Sequence, residues 1–138
     1  MSLEWREQLS VGNDLIDSDH KHLIEIINLA KHGLTNRSRT ELTTALDSLS
    51  KYSKIHFSRE ELIADAVGYG EVSHLQASHA GLLENLEQLK AEIGEVWTEA
   101  AAVNFSGFLR NWLLNHVIKE DMLMKPFLKK FSPRFDPR

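Results

Sequence analysis

One stripe of side chains constrains the fold more than any other feature of this sequence. Leu42, Leu46, Leu49, His56, Glu60, Ile63 and Val67 follow one another at intervals of three, four or seven residues. A helix turns once in about 3.6 residues, so these side chains share a face, and the apolar members direct it into a core. His56 and Glu60 stand one turn apart inside that stripe. Burying an imidazole and a carboxylate without partners costs several kcal/mol, so something must compensate them. For one such pair alone, a His–Glu hydrogen bond within a core would suffice.

The rest of the chain repeats the pattern. After an irregular arm over residues 1–16, with Trp5 and a Val11-Gly12-Asn13 turn, a first helix is predicted from Asp17 or Ser18 to about Gly33. Its stripe is Leu23, Ile27 and Leu34 beside Ile24, with His20 one turn before Ile24. His22 and His32 fall off it and are expected on the surface. The second helix, Arg39 to Val67, carries the stripe above and ends at Gly68-Tyr69-Gly70. The third is predicted from Ser73 to Glu92 or Trp97, with Leu75, His79, Leu82, Leu86, Leu89, Ile93 and Val96 alternating steps of four and three, the seam of nearly antiparallel helices. The fourth runs from Thr98 to about Phe131 with Phe105, Leu109, Trp112, His116 and Leu123 on one face and Leu113, Val117 and Asp121 beside them. Pro126 is expected to kink its last turns, and residues 132–138 to form a loose tail.

Four amphipathic helices, short connections and no strand signal predict an all-α fold: an up-down-up-down antiparallel four-helix bundle with an N-terminal arm, forming a single domain over residues 1–138. Sixteen basic against twenty acidic residues, scattered along the chain, argue against a nucleic-acid surface or a membrane-binding basic patch. No apolar run approaches transmembrane length, and the acidic N-terminus is unlike a signal peptide, so a cytoplasmic location is expected. With no cysteine, thiol catalysis, disulfides and thiolate metal sites are excluded together.

Each helix thus sends a histidine or carboxylate inward: His20, His56 with Glu60, His79, and His116 with Asp121. His74 is a further candidate. Any one of them could be a satisfied core residue. Six at comparable depth are better explained by bound metal, because neutral imidazoles and carboxylates are its ligands and its charge offsets the burial of anions. The set exceeds the needs of one tetrahedral zinc and suits two ions sharing carboxylates. Nitrogen and oxygen donors point to iron or manganese, with zinc as a contaminant.

Trp5, Val11-Gly12, Ile16-Asp17-x-x-His20-Lys21-x-Leu23, His56-Phe57-x-x-Glu60-Glu61, Gly68-Tyr69 and Trp112-Leu113-x-x-His116 with Asp121 resemble the bacterial hemerythrins over nearly the whole chain. The resemblance implies a non-haem di-iron site, Fe2+ or Fe3+, that binds dioxygen reversibly for storage, delivery or sensing. His20 and His56 would be terminal ligands of one iron. His79, His116 and one more histidine of the third helix would hold the other, with Glu60, Asp121 and an oxo or hydroxo group bridging. That further histidine departs from the pattern. The family's pair is four residues apart, whereas His74 and His79 are five apart, and an uninterrupted count places Leu75 in the expected seat. In a regular helix His74 points roughly 100° away from Leu75. The expected arrangement is a π-bulge near the start of the third helix, just after a glycine-containing turn where the backbone adjusts easily, that turns His74 inward as a ligand; otherwise the ligand is absent and Leu75 takes its place.

Leu23, Ile24, Ile63, Leu113 and Val117 lie within a turn of ligand positions, and a dry pocket with few proton donors favours reversible binding over oxygen activation. An enzyme handling peroxide or nitric oxide is the alternative. Ferritin-like di-iron enzymes use paired Glu-x-x-His motifs, and here only Glu71-x-x-His74 fits. An iron or oxygen sensor would need a separate output partner.

Overall fold

The computed structural model describes residues 2–138 and contains no strand among them. Four helical runs form the bundle: α1 (Asp14–Thr35), α2 (Arg39–Ala66), α3 (Val72–Glu92) and a fourth run that begins as α4 (Glu99–Asn111). The first three keep to the predicted limits within a few residues. The start of α1 shifts most, because Asn13 and not Asp17 or Ser18 caps it, accepting from the Ile16 backbone N–H at 3.1 Å. Asp17 instead ties down the preceding turn, accepting from Ser10 Oγ at 2.5 Å and Val11 N at 2.9 Å. Gly12 supplies the left-handed backbone there, at φ 86°.

Only residues 36–38 join α1 to α2, and Ser38 caps α2 by accepting from Glu41 N. The two helices touch closely at this end. A Cβ placed on Gly33 would lie 2.8 Å from the Leu42 backbone nitrogen, so only glycine permits the approach.

The core has two parts. The larger gathers Leu23, Ile27, Leu46, Leu86, Leu109 and Trp112 from all four runs. The smaller, at the other end, gathers Ile16, Ile63, Tyr69, Leu75 and Met124. The indole N–H of Trp112 donates to the Leu82 carbonyl at 3.0 Å, fixing the fourth run against α3. α3 stops at Glu92, the nearer of its two predicted ends, so Val96 of the expected seam is exposed.

The fourth run is not one α-helix. Residues Trp112–Ile118 are π-helical, Lys119–Asp121 return to α, Met122–Met124 form a 3-10 turn, and Lys125–Leu128 end the run with Pro126 in its first turn. A π turn accommodates an extra residue, so every side chain beyond it is rotated relative to a constant 3.6-residue count. The buried face therefore passes through Phe105, Leu109, Trp112, Val117, Ile118, Asp121 and Met124, while the predicted His116 and Leu123 turn outward.

Segments near both ends of the described chain pack onto the start and side of α1. The backbone of Leu3 makes two hydrogen bonds with the Asn28 side chain, each 2.9 Å, and Lys21 lies over the Trp5 ring. The segment expected to be a loose tail is anchored. Asp14 N donates to the Pro133 carbonyl at 2.7 Å, the Asn13 amide donates to the Phe135 carbonyl at 3.1 Å, and the Phe135 ring packs on the smaller core.

Candidate metal centre

Where the two core clusters meet, α1, α2 and the fourth run converge on polar groups. His20, His56, Glu60 and Asp121 are each wholly buried. One donor atom from each lies within 4.8 Å of all the others. His20 Nε2–H donates to Asp121 Oδ2 at 2.6 Å, and His56 Nε2 lies 3.6 Å from the same oxygen. Glu60 faces two imidazoles at once, with Oε2 2.8 Å from His56 Nε2 and Oε1 3.2 Å from His79 Nε2.

Apart from the His20–Asp121 hydrogen bond, these donors meet without satisfying one another. Both Glu60 oxygens, His56 Nε2, Asp121 Oδ1 and His20 Nδ1 are buried and make no aligned hydrogen bond. Buried polar atoms that are close but misaligned would be costly in a mere core, and a cation among them satisfies all but His20 Nδ1, which faces away from Asp121. The donor chemistry, imidazole nitrogen with carboxylate oxygen, fits iron.

The electrostatics carry the same strain. Burial raises the Glu60 carboxyl to about 8, helped by the nearby Asp121 charge and opposed by His56. Burial pushes Asp121 the same way, but its contacts with Glu60, His20 and His56 prevail and hold it below the ordinary carboxylate range. For His56, burial favours the neutral ring, yet the Glu60 charge and the Asp121 and Asp19 contacts raise it well above its ordinary value.

Around these groups lies a second ring of contacts. Asp19, 1 % exposed, accepts from His56 Nδ1–H at 2.9 Å, from Tyr52 O–H at 2.6 Å and from Arg59 Nη1–H at 2.6 Å. Glu61 accepts from His79 Nδ1–H at 2.7 Å. With Nδ1 so occupied, both rings turn Nε2 toward Glu60. Phe57 stacks on His79 with centroids 4.0 Å apart. Leu23, Ile24, Ile63, Leu113 and Val117 are all buried, which keeps the surroundings apolar.

Of the seven candidate ligands, the structure brings His20, His56, Glu60 and Asp121 together, with His79 on the far side of Glu60. His74 and His116 are exposed and stand outside the cluster. No π-bulge forms in α3, so Leu75, 1 % exposed, takes the inward position and His74 points to solvent. The π distortion lies in the fourth run instead, where it carries His116 off the inner face; its Nε2 lies 3.4 Å from the Asn111 amide. His22 and His32 are on the surface, as their positions off the stripe required.

Asp19 joins the site without having been among the expected ligands. Its signal was present, since Ile16, Asp19, Leu23, Ile26 and Ala30 recur at steps of three and four, and all are buried. That stripe lies one residue round from the one containing His20.

Residues 11–128 match the hemerythrin HHE cation-binding domain, and the chain belongs to that family. It is similar to the bacteriohemerythrin of Stenotrophomonas maltophilia (strain R551-3), 26 % identical over 135 residues that cover 96 % of this chain and 86 % of the relative. With the bacteriohemerythrin of Methylococcus capsulatus (strain Bath) it shares 32 % identity over 117 residues, 81 % of this chain and 85 % of the other. A crystal structure described as a leucine-to-phenylalanine mutant superposes with a TM-score of 0.78 at 26 % identity, covering 91 % of this chain and 96 % of that one.

Proposed function

We propose that this protein binds dioxygen reversibly at a non-haem di-iron centre, as an oxygen-binding protein and not an enzyme. The observation that carries the reading is Glu60, buried between the inward Nε2 atoms of His56 and His79 with neither oxygen in an aligned hydrogen bond. His20, His56, Glu60 and Asp121 would hold the metal, with His79 as a further donor beside Glu60. When bound, ferrous iron would supply the electrons that reversible dioxygen binding needs.

The chain's own residues set the conditions. Glu60 and Asp121 supply the anionic charge that two cations require. Asp19 and Glu61 hold two imidazoles in place, and the apolar wall of Leu23, Ile24, Ile63, Leu113 and Val117 excludes water. By keeping solvent out, that wall limits proton delivery from water, which favours release of the gas over its reduction.

The test is optical. Apoprotein loaded anaerobically with ferrous iron should develop a visible absorption band in air and lose it under nitrogen over repeated cycles. Iron uptake with no reversible change between the two gases rejects the reading. Catalytic consumption of peroxide that scales with iron and disappears in His56→Ala would favour the enzyme instead.

A further inference from the structure

We propose that Asp19 is a positioning residue that holds the proton of His56 at Nδ1, so that Nε2 is the nitrogen offered to the metal; this rests on the metal-binding reading above. The geometry is specific. Asp19 is on α1, and the three groups that grip it, Tyr52, His56 and Arg59, follow one another along α2 at steps of four and three, on one face. Its oxygens divide the work. Oδ1 receives both the Tyr52 hydroxyl and the Arg59 guanidinium at 2.6 Å, while Oδ2 receives His56 Nδ1–H alone at 2.9 Å.

That division determines what a neutral substitute would do. In Asp19→Asn, two donors already converge on the Oδ1 position, so the amide oxygen settles there and the amide NH2 faces His56. An NH2 group cannot accept a proton, so Nδ1 must become the acceptor and the ring proton moves to Nε2. The ring is then in the wrong tautomer for a ligand. Rotating the amide back to serve His56 would set its NH2 against Tyr52 and Arg59.

The other inward histidines lack this arrangement. Glu61, which serves His79, is a quarter exposed, and no cation within ion-pairing distance accompanies it among the described residues. His20 Nδ1 is buried and has no hydrogen-bond partner among the described residues. Asp19, itself gripped by Tyr52 and Arg59, therefore anchors His56 more firmly before metal arrives than Glu61 anchors His79. A carboxylate holding the distal nitrogen of a metal-bound histidine typically contributes 10–100-fold to metal affinity.

The experiment compares wild type with Asp19→Asn, using Zn2+ as a diamagnetic probe. In the zinc-loaded wild type, nitrogen NMR should show His56 protonated at Nδ1, with that proton shifted downfield and slow to exchange. In Asp19→Asn the resonance should be lost and zinc affinity should fall 10–100-fold. A residue that merely pins α1 to α2 would lower the apoprotein's melting temperature but leave the His56 signal and the affinity of the folded fraction unchanged, and that outcome overturns the proposal. Should Asp19→Asn fail to fold, the wild-type spectrum decides alone: an unprotonated His56 Nδ1 in the loaded protein overturns it equally. Absence of zinc and ferrous binding in wild type would instead refute the metal reading.

Discussion

His56 Nε2 and Glu60 Oε2 lie 2.8 Å apart, wholly buried, and yet do not form an aligned hydrogen bond. Two groups one turn apart on α2 are brought to contact distance by the helix itself, but both are aimed past each other into the space shared with His20 and Asp121. A pair evolved to satisfy itself would align. This pair is arranged around a third participant.

Metal should therefore stabilise the fold. A ligand that binds only the folded state contributes about 2.7 kcal/mol when present at a hundred times its dissociation constant. Calorimetry of the apoprotein with and without ferrous iron under nitrogen should show a clear rise in melting temperature, reversed by a chelator. His56→Ala should abolish the rise. Identical melting curves would sink the metal reading.

The surface histidines make the opposite prediction. His22→Ala, His32→Ala and His74→Ala should leave iron content per folded chain unchanged, as measured by elemental analysis. His116→Ala is the sharper case. Its outward placement predicts retained iron, whereas loss of one ion per chain would mean that metal loading turns the π-helical segment by one residue.

Gly33→Ala should destabilise the bundle without touching the site. The new methyl group would meet the backbone of α2 at Leu42, which cannot rotate away as a side chain could. Overpacking of this kind costs about 1–3 kcal/mol. Denaturant unfolding should show the loss while metal stoichiometry stays as in wild type.

Tyr52 offers a test of the Asp19 contact by pH. Burial, the hydrogen bond to Asp19 and the Asp19 charge raise its hydroxyl to about 12. Because the folded value lies above the unfolded one near 10, the stability that Tyr52 contributes is complete below pH 10 and is lost as pH rises through about 12. Ultraviolet titration should resolve this late-ionising tyrosine, and Asp19→Asn should bring it down. A Tyr52 that ionises in the ordinary range would show that the contact does not persist in solution.

The sequence by itself determined the helices, the antiparallel bundle and which faces must turn inward, because apolar periodicity along one helix is a local property. It also marked His20, His56, Glu60, His79 and Asp121 as inward groups, since each interrupts or adjoins an apolar stripe. The uninterrupted count that put Leu75 in the inward seat of α3 agrees with the structure, because α3 is a regular helix. Only the tertiary structure decided the fate of His116, because a count at 3.6 residues per turn does not foresee the π segment from Trp112 to Ile118 that shifts the register. Only it revealed Asp19 as the anchor of His56, since that contact depends on how α1 is rotated against α2. The anchored tail was hidden for the same reason: its hydrogen bonds join residues more than a hundred positions apart.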